Sequence, residues 1–199
     1  MLPKTNPYEK LGNFCVSQGK LQIIEYSDMP AALAEARNRD GQLQFLAGSP
    51  AIHVLARAFA ERLTAGGALK LPWHRADKKV PCVAPDGTPV NPAEPNAVKL
   101  ESFIFDALPL ADKTMILEAA REDEFAPTKN KEGVDSVVSC RAMLADRDAR
   151  WLEACGVHVP AGCLVELSPR SFIDPEDVAA RAAATPFPHL AAGSEHYFE

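Results

Sequence analysis

Thr114-Met115-Ile116-Leu117-Glu118, followed after two alanines by Arg121-Glu122-Asp123-Glu124-Phe125-Ala126-Pro127-Thr128-Lys129-Asn130, joins a short apolar run to a segment crowded with charges of both signs. The run has the β-branched, apolar composition of a buried strand. In open α/β sheets, ligands lie beyond the carboxyl ends of the strands. Lys129, in a polar loop after such a strand, could reach a phosphate as a point charge. On charge pattern alone, a solvated loop of exposed ion pairs is the preferred reading, and the phosphate contact is the sharper alternative.

Working outward from this stretch, strands and helices alternate. Asn13–Val16 and Leu21–Tyr26 are apolar runs separated by Ser17-Gln18-Gly19-Lys20, which reads as a β-hairpin. Asp28 is placed to cap a helix beginning near Pro30, with Arg39-Asp40-Gly41 as its stop and a third strand at Leu43–Ala47. Ser49 then reads as the cap of a helix opening at Pro50, with Ile52, Leu55, Ala56, Phe59 and Leu63 on its apolar face and Gly66-Gly67 at its end. Leu71–Pro95 reads as a surface loop or small hairpin turning at Pro85-Asp86-Gly87. Asn96 to Phe105 is expected as a short amphipathic helix, and Asp135 to Cys155 as a longer one, capped by Asp135 and stopped by Gly156. Asp174–Ala184 is an Ala-rich helix, and the residues after it are mixed and Pro-containing. The alternation points to an α/β layered domain.

The chain has 199 residues, 47% of them hydrophobic and 24% charged, enough to bury a core. Its formal net charge of -6 argues against broad binding to nucleic acid or to an anionic membrane surface. Five cysteines, odd in number and without paired short spacings, read as free thiols of a reducing compartment. No apolar run approaches the length of a membrane span, so a cytoplasmic protein is the expectation. No cluster with metal-ligand spacing stands out.

Several residues have both a functional and a plain structural reading. Glu25 closes a strand and Ser49 opens a helix, positions that suit a polar ligand at a sheet edge, although a strand-terminal Glu is more often solvated. Phe103 and Phe105 are two apart, so on a helix they cannot share a face; one could project toward a pocket, or both could pack in the core. His74, Lys78 and Lys79 could clamp a phosphate or stay wet. His53 reads as a hydrogen-bonded structural histidine.

The succession Lys4-Thr5-Asn6-Pro7, Glu25-Tyr26-Ser27-Asp28, Ala47-Gly48-Ser49-Pro50-Ala51-Ile52-His53, Lys78-Lys79, Pro95-Asn96 to Lys99-Leu100-Glu101, Phe103-Ile104-Phe105-Asp106 and Arg121 to Asn130 resembles, in order, the second half of the eukaryotic-type UDP-N-acetylhexosamine pyrophosphorylases. The likeness runs from Lys4 to about Arg141 and resumes at Val165-Glu166-Leu167-Ser168-Pro169. The resemblance implies the C-terminal half of a Rossmann-like nucleotide-diphospho-sugar transferase domain over residues 1–156, with a small C-terminal segment at 157–199.

It also implies a reaction: UTP and a sugar 1-phosphate give a UDP-sugar and pyrophosphate, with Mg²⁺ held by an Asp that lies before the matched region. By resemblance, Gly12 and Glu25 contact the sugar hydroxyls, Phe103 and Phe105 wall the sugar and its N-acetyl group, and Lys129 touches the phosphates. Ser49 stands where relatives carry an Asn on the acetamido side, which leaves N-acetylhexosamine and glucose both open. The family's UTP-binding loop of the type Leu-x-x-Gly-x-Gly-Thr-Arg is not in this sequence, so a separate N-terminal half is an expected partner. The alternative is a non-catalytic remnant or subunit that binds a partner chain through an open sheet edge.

Overall fold

A computed structural model describes residues 1–199, which divide into two compact units, Met1–Glu118 and Ala119–Glu199. The chain is mixed α/β, built on small sheets. The boundary expected at 156/157 falls inside the second unit.

In the first unit, β1 (Leu2–Pro3), β2 (Gly12–Ser17), β3 (Lys20–Ile24) and β4 (Ala47–Ser49) form an antiparallel sheet in the order β1-β4-β2-β3. The β2–β3 hairpin matches the sequence reading: Gln18 and Gly19 have φ of 52° and 73°, the left-handed pair whose twist suits a two-residue hairpin. Helix α1 is a single turn, Ala31–Ala34, with no side chain capping it. Asp28 is therefore not its cap, and its carboxylate is committed elsewhere. The expected strand at Leu43–Ala47 reduces to one bridge, Arg37 to Leu43, before β4.

The helix expected from Pro50 begins only at Arg57, as α2 (Arg57–Thr64). Ala51 takes a left-handed φ of 64°, and its N–H donates to Ser49 Oγ at 3.3 Å, a local turn that holds the chain out of the helix. Ile52 is accordingly 71% exposed rather than part of an apolar face. Between Leu71 and Pro95, β6 (Cys82–Val83) and β7 (Pro89–Val90) make the small hairpin around Asp86-Gly87, while β5 (His74–Lys78) pairs with β8 (Ala97–Glu101). The stretch expected as a helix after Asn96 is thus a strand, followed by a 3₁₀ helix, Ile104–Leu110, that packs on β3. Val98 and Leu100 lie on a two-stranded ladder, and tertiary pairing with β5 overrides the local pattern. Thr114–Glu118 joins no ladder, and Met115 and Leu117 are 80% and 69% exposed, so this run is not a buried strand here.

In the second unit, α3 (Arg121–Glu124) leads through a loop to α4 (Val137–Ala154), then β9 (Leu164–Leu167), α5 (Pro175–Ala184) and β10 (Glu195–Phe198). Strands β9 and β10 are parallel, Leu164 opposite Glu195 and Leu167 opposite Phe198, with α5 in the crossover. The cap of α4 is Ser136, in a reciprocal pair with Ser139, and not Asp135, which has a φ of 56°. Gly156 ends that helix and Asp174 caps α5 through Asp177 N–H, as the sequence suggests. Leu152, Val165, Leu167, Phe172, Val178 and Leu190 form the core, and the buried Asp148 accepts from Leu167 N–H at 2.8 Å and from the Arg147 guanidinium.

Candidate functional site

The antiparallel sheet brings three of the candidate residues to one place. Gly12 opens β2 directly opposite Ser49 at the end of β4, and Glu25 follows β3, the strand on the other side of β2. A Cβ at Gly12 would stand 2.7 Å from Ile23 Cγ2, 3.7 Å from Ser49 Cβ and 3.8 Å from Glu25 Oε2. Only glycine fits this approach, and its bare backbone leaves a small polar floor between a hydroxyl and a carboxylate. Ser49 is buried, and it ends a strand rather than opening a helix, so the expected capping role is replaced by the turn to Ala51.

Below this floor the sheet is polar inside. Lys4 Nζ donates to Asn13 Oδ1 at 2.5 Å and to the Pro7 carbonyl at 3.3 Å, while Asn13 Nδ2 donates to the carbonyls of Leu11 and Ile24. Glu9 accepts from Thr5 N–H and Oγ1. Lys4, Glu9 and Asn13 are all buried. Burial pushes the Lys4 ammonium below its ordinary pKa, and the nearby Glu9 charge opposes that shift. A Cβ at Gly48 would meet Leu11, the Leu2 carbonyl and Lys4 at 2.8–3.1 Å, so this network also needs a glycine beside it.

Phe103 and Phe105 stack on each other, ring centroids 4.8 Å apart and 10° from parallel. The sequence reading placed them on a helix, where two apart means different faces. Phe103 is instead extended, just ahead of the 3₁₀ helix, and this break in conformation lets the rings meet. His74 completes the cluster, its ring 4.9 Å from Phe103 and 6.4 Å from Phe105. Its Nε2 lies 2.8 Å from Asp106 Oδ2 and its Nδ1 lies 3.3 Å from Asp28 Oδ2. Asp28 belongs to the turn that starts at Glu25, closed by Asp28 N–H to the Glu25 carbonyl at 2.9 Å. Burial lowers the His74 pKa, but the hydrogen bonds and charges of the two aspartates outweigh it and leave the imidazole above its ordinary value.

The partnership of His74 with Asp28 and Asp106 was not foreseen, because the three residues are far apart in sequence, and Asp28 and His74 had local readings of their own. His53 differs from expectation in the other direction. Its Nε2 is buried without a hydrogen-bond partner, and burial holds its pKa below the ordinary value.

Lys129 belongs to the second unit. The loop that carries it is closed by Lys129 N–H and Asn130 N–H donating to the Asp135 carbonyl, and by Asn130 Nδ2 donating to the Val134 carbonyl at 2.7 Å. Lys129 Nζ and the Arg121 guanidinium lie over the Phe125 ring, 5.5 and 4.8 Å from its centroid. Arg150 of α4 binds Asp123 at 2.8 Å, and Cys140 donates to the Ala126 carbonyl at 2.9 Å, so one helix pins the charged segment. A cleft of about 230 Å³ lies between Glu122–Ala126 and Met143, Leu144 and Arg147 of α4. Three carboxylates line it, which disfavours a phosphate there, and we place the candidate site in the first unit on its geometry. No group of three His, Cys, Asp or Glu side chains in the chain is arranged to hold a metal ion.

No family model matches the sequence. The structure superposes on the Trypanosoma brucei uridine diphosphate N-acetylglucosamine pyrophosphorylase with a TM-score of 0.70 and 22% identity, covering all of this chain and 42% of that one. At that identity the likeness speaks for the fold, and it defines the class: part of a pyrophosphorylase fold. Sequence relatives carry the matter further. They include the Caenorhabditis elegans protein named "Probable UDP-N-acetylglucosamine pyrophosphorylase", 39% identical over 77% of this chain and 32% of the relative. The Homo sapiens UDP-N-acetylhexosamine pyrophosphorylase-like protein 1 is 36% identical over 79% of this chain and 32% of its own length. The Saccharomyces cerevisiae UDP-N-acetylglucosamine pyrophosphorylase is 36% identical over 83% and 36%. The homologues of this chain are the UDP-N-acetylhexosamine pyrophosphorylase-like proteins of eukaryotes, and the chain matches a C-terminal fragment of that family. It spans about a third of the length of the curated relatives it matches.

Proposed function

We propose that this chain is the sugar-binding part of a uridylyltransferase that makes UDP-N-acetylhexosamine and pyrophosphate from UTP and the sugar 1-phosphate. The observation that carries the reading is the convergence of Gly12, Ser49 and the Glu25 carboxylate at one end of the sheet. A sugar offers hydroxyls to a carboxylate and an acetamido group to a wall of apolar rings. Glu25 orients the sugar by accepting from its hydroxyls, the Gly12 backbone lets it approach, and Phe103 and Phe105 wall the N-acetyl side.

In the reaction, an oxygen of the sugar 1-phosphate attacks the α-phosphorus of UTP; the bond to the β-phosphate oxygen breaks and pyrophosphate leaves. Such transfer depends on positioning and charge neutralisation, so no protein nucleophile is needed. Lys129 neutralises charge on the phosphates. Mg²⁺ supplies further neutralisation and is assigned to a part of the enzyme other than these residues, as is the Gly-rich UTP loop. In this reading residues 1–156 are the C-terminal half of the catalytic domain, 157–199 are a small C-terminal segment, and the protein works in the cytoplasm. No helix is long and apolar enough to cross a membrane.

A second reading, a non-catalytic chain that associates with a partner through a sheet edge, draws on the exposed run at Met115–Leu117, which joins no ladder. Turnover separates the two. Purified chain with UTP, N-acetylglucosamine 1-phosphate and Mg²⁺ is expected to release no pyrophosphate alone, and to do so when a chain carrying the Gly-rich loop is added. Robust turnover by the chain alone would overturn the division of labour, and silence in the mixture would favour the second reading.

A further inference from the structure

His74 touches the phenylalanine pair of the candidate sugar site and the turn that begins at Glu25. It sits at the start of β5, its ring packs on Phe103 and Phe105, and its two nitrogens face carboxylates from two other segments. Asp28 closes the turn that begins at Glu25, and Asp106 follows Phe105 in the 3₁₀ helix. We propose that His74 is a positioning residue for the sugar pocket: donating from both ring nitrogens, to Asp28 and to Asp106, it fixes the turn that carries Glu25 against the segment that carries the phenylalanine wall. The inference rests on the reading of this region as a sugar site.

The chemistry requires the imidazolium. A carboxylate only accepts, and a neutral imidazole has one N–H, so loss of the proton sets a nitrogen lone pair against a carboxylate oxygen. One of the two links must then open. The charged groups around the ring are few: Asp28 from the turn, Asp106 from the 3₁₀ helix, and Glu101, opposite His74 in the β5–β8 ladder, which is paired with Lys99 at 2.7 Å. All three are acidic, and the raised pKa of His74 accords with that surrounding. The pocket is therefore assembled while His74 is protonated and loosens as pH rises through the His74 pKa.

The test uses the full 199-residue chain, with labelled histidine and phenylalanine rings followed by NMR from pH 5.5 to 9. Without ligand, the His74 ring is expected to titrate above the ordinary histidine value, and the Phe103 and Phe105 rings and the amides of residues 25–28 to shift with the same midpoint. N-acetylglucosamine 1-phosphate is then titrated at each pH. Its affinity is expected to fall through that midpoint, and His74→Gln to bind ~10-fold more weakly at pH 6, the cost of one charge-assisted hydrogen bond. His74→Gln should retain only the pH dependence of the ligand's own phosphate, which titrates at about 6. Asp106→Asn should move both midpoints down together, a shift that a merely packed histidine would not produce. An affinity in His74→Gln equal to wild type across the range, or rings and turn that ignore the His74 titration, would overturn the proposal. Absence of sugar binding at every pH would remove the sugar reading itself; the ligand-free titration then decides the linkage alone, coupled signals upholding it and uncoupled signals ending it.

Discussion

The sheet end around Gly12 and the cluster around Leu152 bury different kinds of residue. The first encloses Lys4, Glu9, Asn13 and Ser49 beside Leu2, Leu11 and Ile23, within hydrogen-bonded loops and strand ends; the second encloses Leu152, Val165, Leu167, Phe172, Val178 and Leu190, with Asp148 as a single satisfied charge. Burying polar groups costs free energy that their hydrogen bonds only offset, whereas burying leucines and valines stabilises outright. Buried polar groups beside a bare glycine add little to the stability that Leu2, Leu11 and Ile23 supply there. Such an arrangement suits a polar ligand, and the proposed sugar site rests on that contrast.

The largest effect should come from the apolar cluster. Leu152, fully buried, should cost about 2–5 kcal/mol of stability when changed to Ala, since no neighbouring group can close the cavity fully. Urea unfolding followed by fluorescence reads this through Trp151, while Trp73 reports on the other unit. A loss under about 0.5 kcal/mol, the range of ordinary surface changes, would break the contrast.

Lys129 should behave in the opposite way. In an enzyme completed with the Gly-rich half, Lys129→Ala should lower turnover by about 1.5–3 kcal/mol of transition-state stabilisation, the worth of one charge-assisted phosphate contact. Its unfolding midpoint should stay put. An unchanged rate at saturating substrate would return Lys129 to the solvated-loop reading and leave its contact with Phe125 as its role.

Ser49 sharpens the comparison within the site. Its hydroxyl accepts from Ala51 N–H and keeps one donor, with a shorter reach than an amide that has two. Ser49→Asn should therefore raise the preference for N-acetylglucosamine 1-phosphate over glucose 1-phosphate by several-fold, an added hydrogen bond of about 0.5–1.5 kcal/mol. Specificity constants for both sugars, measured in the completed enzyme, check it. A parent that prefers glucose 1-phosphate, with no shift in the variant, would contradict the acetamido assignment.

The smallest effect is a pair of opposed pH dependences. His74 has its folded pKa raised, so its contribution to stability is fully present below the unfolded value of 6.5 and is lost as pH rises through the folded pKa. His53 has its folded pKa lowered by burial, so below 6.5 the unfolded chain binds a proton that the folded chain refuses, and stability falls with falling pH. Unfolding midpoints across pH should show His74→Gln destabilised most below 6.5, with the gap closing as pH rises, and His53→Gln relatively more stable in acid. Parallel curves would show that neither ring is perturbed.

Legibility in the sequence followed the same division. The β2–β3 hairpin, the Gly156 stop and the Asp174 cap depend on chemistry within a few residues, and each was readable from Gln18-Gly19, a lone glycine or an Asp-Pro step. What depended on distant partners was not. Thr114–Glu118 has a strand's composition but no ladder to join, Asn96–Glu101 pairs with β5 instead of coiling, and Ser49 is held by Gly12 across the sheet rather than by a helix. The resemblance supplied Gly12, Glu25 and Ser49 as residues; their convergence needed the sheet. The His74 bridge needed three segments in space and had no local signal beyond a histidine among lysines.

The central claim is that sugar recognition belongs to the sheet end of the first unit. N-acetylglucosamine 1-phosphate titrated into the isotope-labelled chain at pH 6 tests it most directly. Saturable shifts are expected at Gly12, Glu25, Ser49, Phe103 and Phe105, with the residues around Leu152 unmoved. Shifts centred on the Leu152 cluster, or none at any ligand concentration, would contradict it.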